Sequence, residues 1–257
     1  MSDPEAAWRR DHWSPGGGDA FLFYAIYGDV DASTQIDPLK YRTSGLPDAL
    51  DVRSFSRSQH SEYLQLFEEG YPWSNLVATN PALARHVKRS PACMILQGAV
   101  NDPPSLAYFR DAIGFVTFFL DHGGVAVYDA QIMTWWTPSE WREKVFEHAT
   151  PAPFQHTVIL YSNDDKNGVG TWFHTRGMRK FGRPDISMHD VSQGQCHAVT
   201  ELCNRFIAYQ AFGGLVPEGQ QVHLAGLERA GVVRHSQDYD DPHFNNVHFE
   251  VEWRRDA

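Results

Sequence analysis

The stretch WFHTRGMRKFGRPDISMHD, residues 172–190, decides how the chain is read. Its opening residues alternate. Trp172, His174 and Arg176 fall on one side of an extended strand, and Phe173 and Thr175 on the other. Gly177 releases the chain into a turn, and Gly182 and Pro184 bound the way out. DISMHDV (185–191) resumes as a strand with Ile186 and Met188 on one face. Two strands joined by a short turn predict antiparallel pairing, not the strand–helix–strand alternation of a doubly wound fold.

The same grammar extends on both sides. HTVILYS (156–162) and VGTWFHTRG (169–177) read as strands joined by the polar turn NDDKNG (163–168). QCHAVTELCNRFIAYQAFGG (195–214) reads as an amphipathic helix with Val199, Leu202, Cys203, Phe206 and Tyr209 inward, closed by Gly213 and Gly214. QQVHLAGL (220–227) and NNVHFEVEWRR (245–255) finish the chain. In the latter, Val247, Phe249, Val251 and Trp253 alternate with His248, Glu250, Glu252 and Arg254, which predicts one wet face. Upstream, FLFYAIYGD (21–29), ACMILQGAV (92–100) and VAVYD (125–129) are strands, and 29–56 reads mostly as loop. RSQHSEYLQLFEEG (57–70) is a helix closed by Gly70, and NPALARHVKRSP (80–91) a short one capped by Asn80 and stopped by Pro91. The clearest helix is PPSLAYFRDAIGFVTFFLDHGG (103–124), where Phe109, Ala112, Ile113, Val116, Phe119 and Leu120 form one stripe. Thr137-Pro138-Ser139-Glu140 is a capping box. Together these elements predict an α+β fold: a mixed, largely antiparallel sheet packed against helices, with a ferredoxin-like arrangement among the candidates. Residues 1–19 read as a flexible N-terminal tail and 20–257 as a single domain, with a sub-boundary near 150–153.

Composition narrows the functional classes. Aromatic residues at 13% argue against disorder. A formal charge of −10 disfavours nucleic acid and anionic membranes as partners. The longest mostly apolar run, Ala112 to Leu120, is too short to cross a bilayer, and the N-terminus lacks the apolar core of a signal peptide. Cys93, Cys196 and Cys203 are an odd set without a C-x-x-C pair, which points to reduced thiols and a cytoplasmic location. No G-x-G-x-x-G, Walker loop or H-E-x-x-H occurs, so no cofactor and no metal are expected.

Localised chemistry gathers at the basic turn. Arg176, Arg179, Lys180 and Arg183, flanked by His174 and His189, are candidates to bind an anion through forked guanidinium contacts. The competing reading, a solvated turn between strands, is preferred because clustered charge is usually a wet face. If the strands pair, His174 and His189 with Asp190 and the strand-end Asp129 form a His/carboxylate set. RHSQDYDDPHFNN (234–246) reads as a mobile acidic loop.

HTRGMRKFGRPDISM, the helix after it and QQVHLAGL resemble a group of uncharacterised bacterial domains of unknown function. Those domains carry a T-x-G-[ML]-x-x-F-G-x-P-[DE] signature before a helix; in this chain it is Thr175, Gly177, Met178, Phe181, Gly182, Pro184 and Asp185. GVAVYD and TPSEW are similar to the earlier half of that group, and the resemblance spans about residues 90 to 253. It implies an α+β fold and, through relatives in toxin–immunity gene neighbourhoods, a binding role. It supplies no catalytic residues. The expectation is therefore a binding, regulatory or immunity-like module with a protein partner or a small anionic ligand, its apolar contact patch drawn from Tyr108, Phe115 and Phe118 or from Trp135 and Trp136, with core filling the preferred reading for Phe115 and Phe118. The alternative is a hydrolase-type enzyme acting on an anionic substrate through a His/Arg/Asp site.

Overall fold

A computed structural model describes residues 6–31, 33–164, 170–223, 230–238, 241 and 243–253. The fold is α+β, with two largely antiparallel sheets and helices packed on them. The chain forms two compact units: Met1–Arg9, Phe21–Val100 and Ser105–Ala152 in the first, Arg10–Ala20, Asn101–Pro104 and Pro153–Ala257 in the second. The main change of unit, between Ala152 and Pro153, falls inside the 150–153 stretch, and each unit has its own sheet where one was expected.

The first unit runs β1 (Ala20–Gly28), α1 (Pro38–Tyr41), β2 (Leu50–Ser56), α2 (Ser61–Gln65), α3 (Gly70–Thr79), α4 (Pro81–Arg89), β3 (Ala92–Val100), α5 (Ala107–Asp121), β4 (Gly124–Asp129), β5 (Thr134–Trp136) and α6 (Pro138–Trp141). Its sheet order is β2-β3-β1-β4-β5, and the first four strands stand in the order of a ferredoxin-like unit. Alternation on β1 divides the core. Ala25 and Tyr27 pack with Leu64, Leu76, Leu83 and Val87 of α2, α3 and α4. Tyr24, on the opposite side of β1, meets the Trp141 indole edge-on. Trp141 is fully buried and its indole N–H donates to Thr117 Oγ1 of α5 at 3.0 Å. The capping box at Thr137 is present in both directions.

Several expectations change here. The supposed loop over 29–56 holds α1 and β2; β2 is an edge strand whose outer residues face water, so its apolar alternation is faint. Gly70 opens α3 instead of closing a helix: its φ of 72° turns the chain, and Pro72 fits the first helical turn. The aromatic contact patch is core: Tyr108, Phe118 and Trp136 are buried, and Phe115 and Trp135 are partly buried.

The second unit runs β6 (Val158–Asn163), β7 (Thr171–Arg176), β8 (Asp185–Val191), α7 (Cys196–Ala211), β9 (Gln221–His223), β10 (Ala230–Ser236) and β11 (His248–Trp253). Two antiparallel meanders, β6-β7-β8 and β9-β10-β11, meet through one parallel pair, β8 with β11, in the order β6-β7-β8-β11-β10-β9. A parallel join needs a crossover, and α7 supplies it. One sheet face is the core: Phe173, Ile186, Met188, Phe249, Val251 and Val233 are all buried. Phe206 of α7 meets Phe249 edge-on at 5.3 Å. The inward stripe of α7 is Val199, Cys203, Phe206, Ile207 and Gln210; Tyr209, expected inside, is exposed. The turn residues 165–169 and the end of QQVHLAGL (224–227) lie outside the described residues.

Residues 1–19 were read as a loose tail. Over the described part, 6–19, the chain is held. Trp8 is buried, and the Arg10 guanidinium, 4% exposed, donates to the carbonyls of Pro103, Phe181 and Ala211. Gly16 and Gly17 amides donate to Asp102. No helix among the described residues is long and apolar enough to cross a membrane.

Candidate functional site

The basic turn is not a wet hairpin tip: Arg176, Lys180 and Arg183 are buried. Between β7 and β8 the chain makes one tight 3-10 turn, Met178–Phe181, entered through Gly177 at φ 110° and left through Gly182 at φ 61°. A Cβ at Gly182 would stand 2.2 Å from the Gly18 carbonyl oxygen, so that position needs glycine for conformation and for space. The cations then turn inward onto backbone carbonyls. Arg176 Nη1 donates to His243 O at 2.8 Å and Arg179 Nη1 to Asn245 O at 2.9 Å. Lys180, fully buried, donates to His156 O at 3.0 Å. Arg183, 2% exposed, donates to Gly214 O, Gly213 O, Gly182 O and Asp102 Oδ1. Against the upward push of burial, Arg183 and the Gly17 amide hold the Asp102 carboxyl below the usual range. Among the described residues, carbonyl dipoles and the Asp102 carboxylate face these charges.

The signature residues serve the same knot. Asp185 is fully buried and accepts from Thr175 Oγ1 (2.9 Å), the Met178 amide (3.3 Å) and Asn246 Nδ2 (3.0 Å). Burial lifts its carboxyl to about 6 even against these donors. Thr175 Oγ1 in turn accepts the Ile186 amide at 2.9 Å, and Met178 and Phe181 are fully buried.

A concave feature lies on the other face of the second sheet. It is a cleft of about 350 Å³ lined by residues of β6, β7, β8 and β11 and of the segment before β11, among them Trp172, His189, Asp241, His243, His248 and Glu250. Strand alternation places them: Trp172, Ser187, His189, His248 and Glu250 occupy the positions opposite the α7-covered core. Trp172 is the keel. His174 stacks on it at 4.1 Å and His189 lies parallel to it at 5.2 Å and 3°. His243 meets it edge-on at 4.8 Å, and its own indole N–H donates to Ser187 Oγ at 3.0 Å. Phe244 and His248 stack at 4.0 Å. His189 Nδ1 sits 2.9 Å from the carboxylate of Asp164, which is buried and also accepts the Asp190 amide at 2.7 Å.

Among the sequence candidates, His189 lines the cleft. His174 stands against Trp172 at 7% exposure; burial first, then His243 and Arg176, pull its imidazole down to about 4. His174 is therefore neutral at physiological pH. Arg176 shares its strand face but is turned to the His243 carbonyl. Asp190, at φ 56°, contributes its amide to Asp164. Asp129 belongs to the other unit, at the end of β4, and accepts the Gln131 amide there. Asp164, Trp172, Asp241, His243, His248 and Glu250 were not proposed from sequence. The wet-face alternation of β11 held the signal for His248 and Glu250. The "acidic loop" holds Phe244 and Asn246 buried and lends Asp241 and His243 to the cleft wall; residues 239, 240 and 242 lie outside the described ones. Among the described residues no group of three or more His, Cys, Asp or Glu side chains is placed to hold a metal ion.

No known protein family, curated protein or solved structure matches the chain.

Proposed function

We propose that the chain is a binding module and that the cleft of the second unit receives a small ligand. One observation carries the reading: the face of the sheet not used for the core is shaped into a cavity walled by aromatic rings, imidazoles and carboxylates. Such groups are not needed to close the core, because α7 already covers the opposite face. The resemblance of residues 90–253 to uncharacterised bacterial domains with a suspected binding role supports it, and the three free cysteines support residence in a reducing, cytoplasmic compartment. The test is direct. The imidazole resonances of His189, His243 and His248 are followed by NMR while small-molecule mixtures are added. A compound that moves them, and that loses its effect in Trp172→Ala, supports the reading; no response to any chemical class at millimolar concentration removes it.

The Asp164–His189 pair favours a second reading, general-base catalysis, because a buried carboxylate orients the imidazole as a base requires. The anionic substrate expected from the arginine cluster has less support, since Arg179, Lys180 and Arg183 are turned onto carbonyls. Turnover of a phosphate or carboxylate ester, abolished in His189→Gln, would favour catalysis; no turnover would remove it.

A further inference from the structure

We propose that the cleft selects a small organic cation, a protonated amine or guanidinium, held between Asp241 and the His189 Nε2 atom. This rests on the cleft being a ligand site and adds the chemistry of its occupant.

Among the described residues the lining includes two carboxylates, Asp241 and Glu250, and no lysine or arginine. In its neutral form the imidazole offers an acceptor to the cleft. A carboxylate only accepts, so Asp164 keeps the proton on His189 Nδ1 and leaves Nε2 with a lone pair. The second bond to Asp164, from the Asp190 amide, and the parallel Trp172 ring hold that orientation. Two donors beside the cleft have partners within the chain: the Trp172 N–H donates to Ser187 Oγ, and Arg176 Nη1 to the His243 carbonyl. Asp241 Oδ1 accepts the His243 backbone amide at 2.9 Å, and both residues line the cleft. Against Trp172, the His174 Nδ1 atom is buried without a hydrogen-bond partner among the described residues, a polar atom that the folded chain leaves unserved next to the cleft. A cavity of about 350 Å³ is at the small end for ligand pockets, and a body of net charge −10 draws cations toward it.

The experiment titrates the full chain by calorimetry with agmatine and putrescine, and with butane-1,4-diol, succinate and inorganic phosphate as neutral and anionic counterparts, while NMR follows the histidine rings. The expected result is binding of agmatine or putrescine but of none of the counterparts. Asp241→Asn and His189→Phe should each weaken it about tenfold with circular dichroism unchanged. Cation binding that both variants leave intact places the cation elsewhere and overturns the proposal. Binding of succinate or phosphate at these rings, without the amines, overturns the charge inference while leaving a ligand site. Silence from every probe and from the wider mixtures overturns both.

Discussion

Two buried groups that share the field of Arg176 make opposite demands on pH. His174 has its imidazole pulled down to about 4 from an ordinary 6.5, and Asp185 has its carboxyl lifted to about 6 from 3.8. Above about pH 7.5 neither group distinguishes folded from unfolded chain by proton uptake. As pH falls from there toward 4, the unfolded chain protonates His174 and the folded chain does not, so the folded state loses stability. At about 1.4 kcal/mol per pH unit of separation, the loss is about 2 to 3 kcal/mol, the lower figure allowing for screening by water in the adjoining cleft. Over nearly the same window the folded chain protonates Asp185 before the unfolded chain does, which returns about 3 kcal/mol. The two effects largely cancel in the wild type, and substitution separates them. Urea unfolding followed by tryptophan fluorescence, at steps from about pH 7 to 4, gives the stability of wild type, His174→Gln and Asp185→Asn. The stability of wild type minus His174→Gln should fall by about 2 to 3 kcal/mol on acidification, and that of wild type minus Asp185→Asn should rise by about 3 kcal/mol. Differences that stay flat within about 1 kcal/mol, or that slope the same way, would refute the burial and charge argument at both sites.

Three further outcomes are expected. Arg183→Met takes the charged partner from the Asp102 carboxylate and the guanidinium donor from the Gly213 and Gly214 carbonyls and should cost about 3 to 5 kcal/mol; Arg183→Lys, lacking the fork, should recover less than half, both read from urea midpoints. Gly182→Ala meets both a positive φ and the Gly18 carbonyl, so a thermal scan should show a loss of more than about 2 kcal/mol. With a thiol-reactive chromophore under native conditions, one cysteine per chain should react fast: Cys196 is partly exposed, whereas burial pushes the Cys93 and Cys203 thiols up to about 12.

Local chemistry was legible where one element decides the outcome. The stripe of α5, the Thr137 box and the alternation of β7 and β11 each follow from a period or a cap that needs no distant partner. The fold class followed from them. The edge strand β2 did not show, because half of its side chains answer to water. The basic turn misled for a different reason. A lysine or arginine stem that buries its head on a carbonyl leaves the same letters as one that waves in solvent, and only the positions of His156, Gly213, Gly214 and Asn245 tell them apart. The site was half visible: His189 stood out by type, but its partner Asp164 is 25 residues away, and Trp172, His248 and Glu250 join it only once β8 has β7 on one side and β11 on the other.

The place of β11 also bears on how the molecule is made. The last strand is an interior one, and the second unit takes in residues 10–20 as well. A ribosome delivers residues 10–20 long before β11. Until β11 emerges, the β6-β7-β8 meander and the β9-β10 hairpin each keep an inner edge, on β8 and β10, open to any passing strand, which exposes this unit to mispairing during translation.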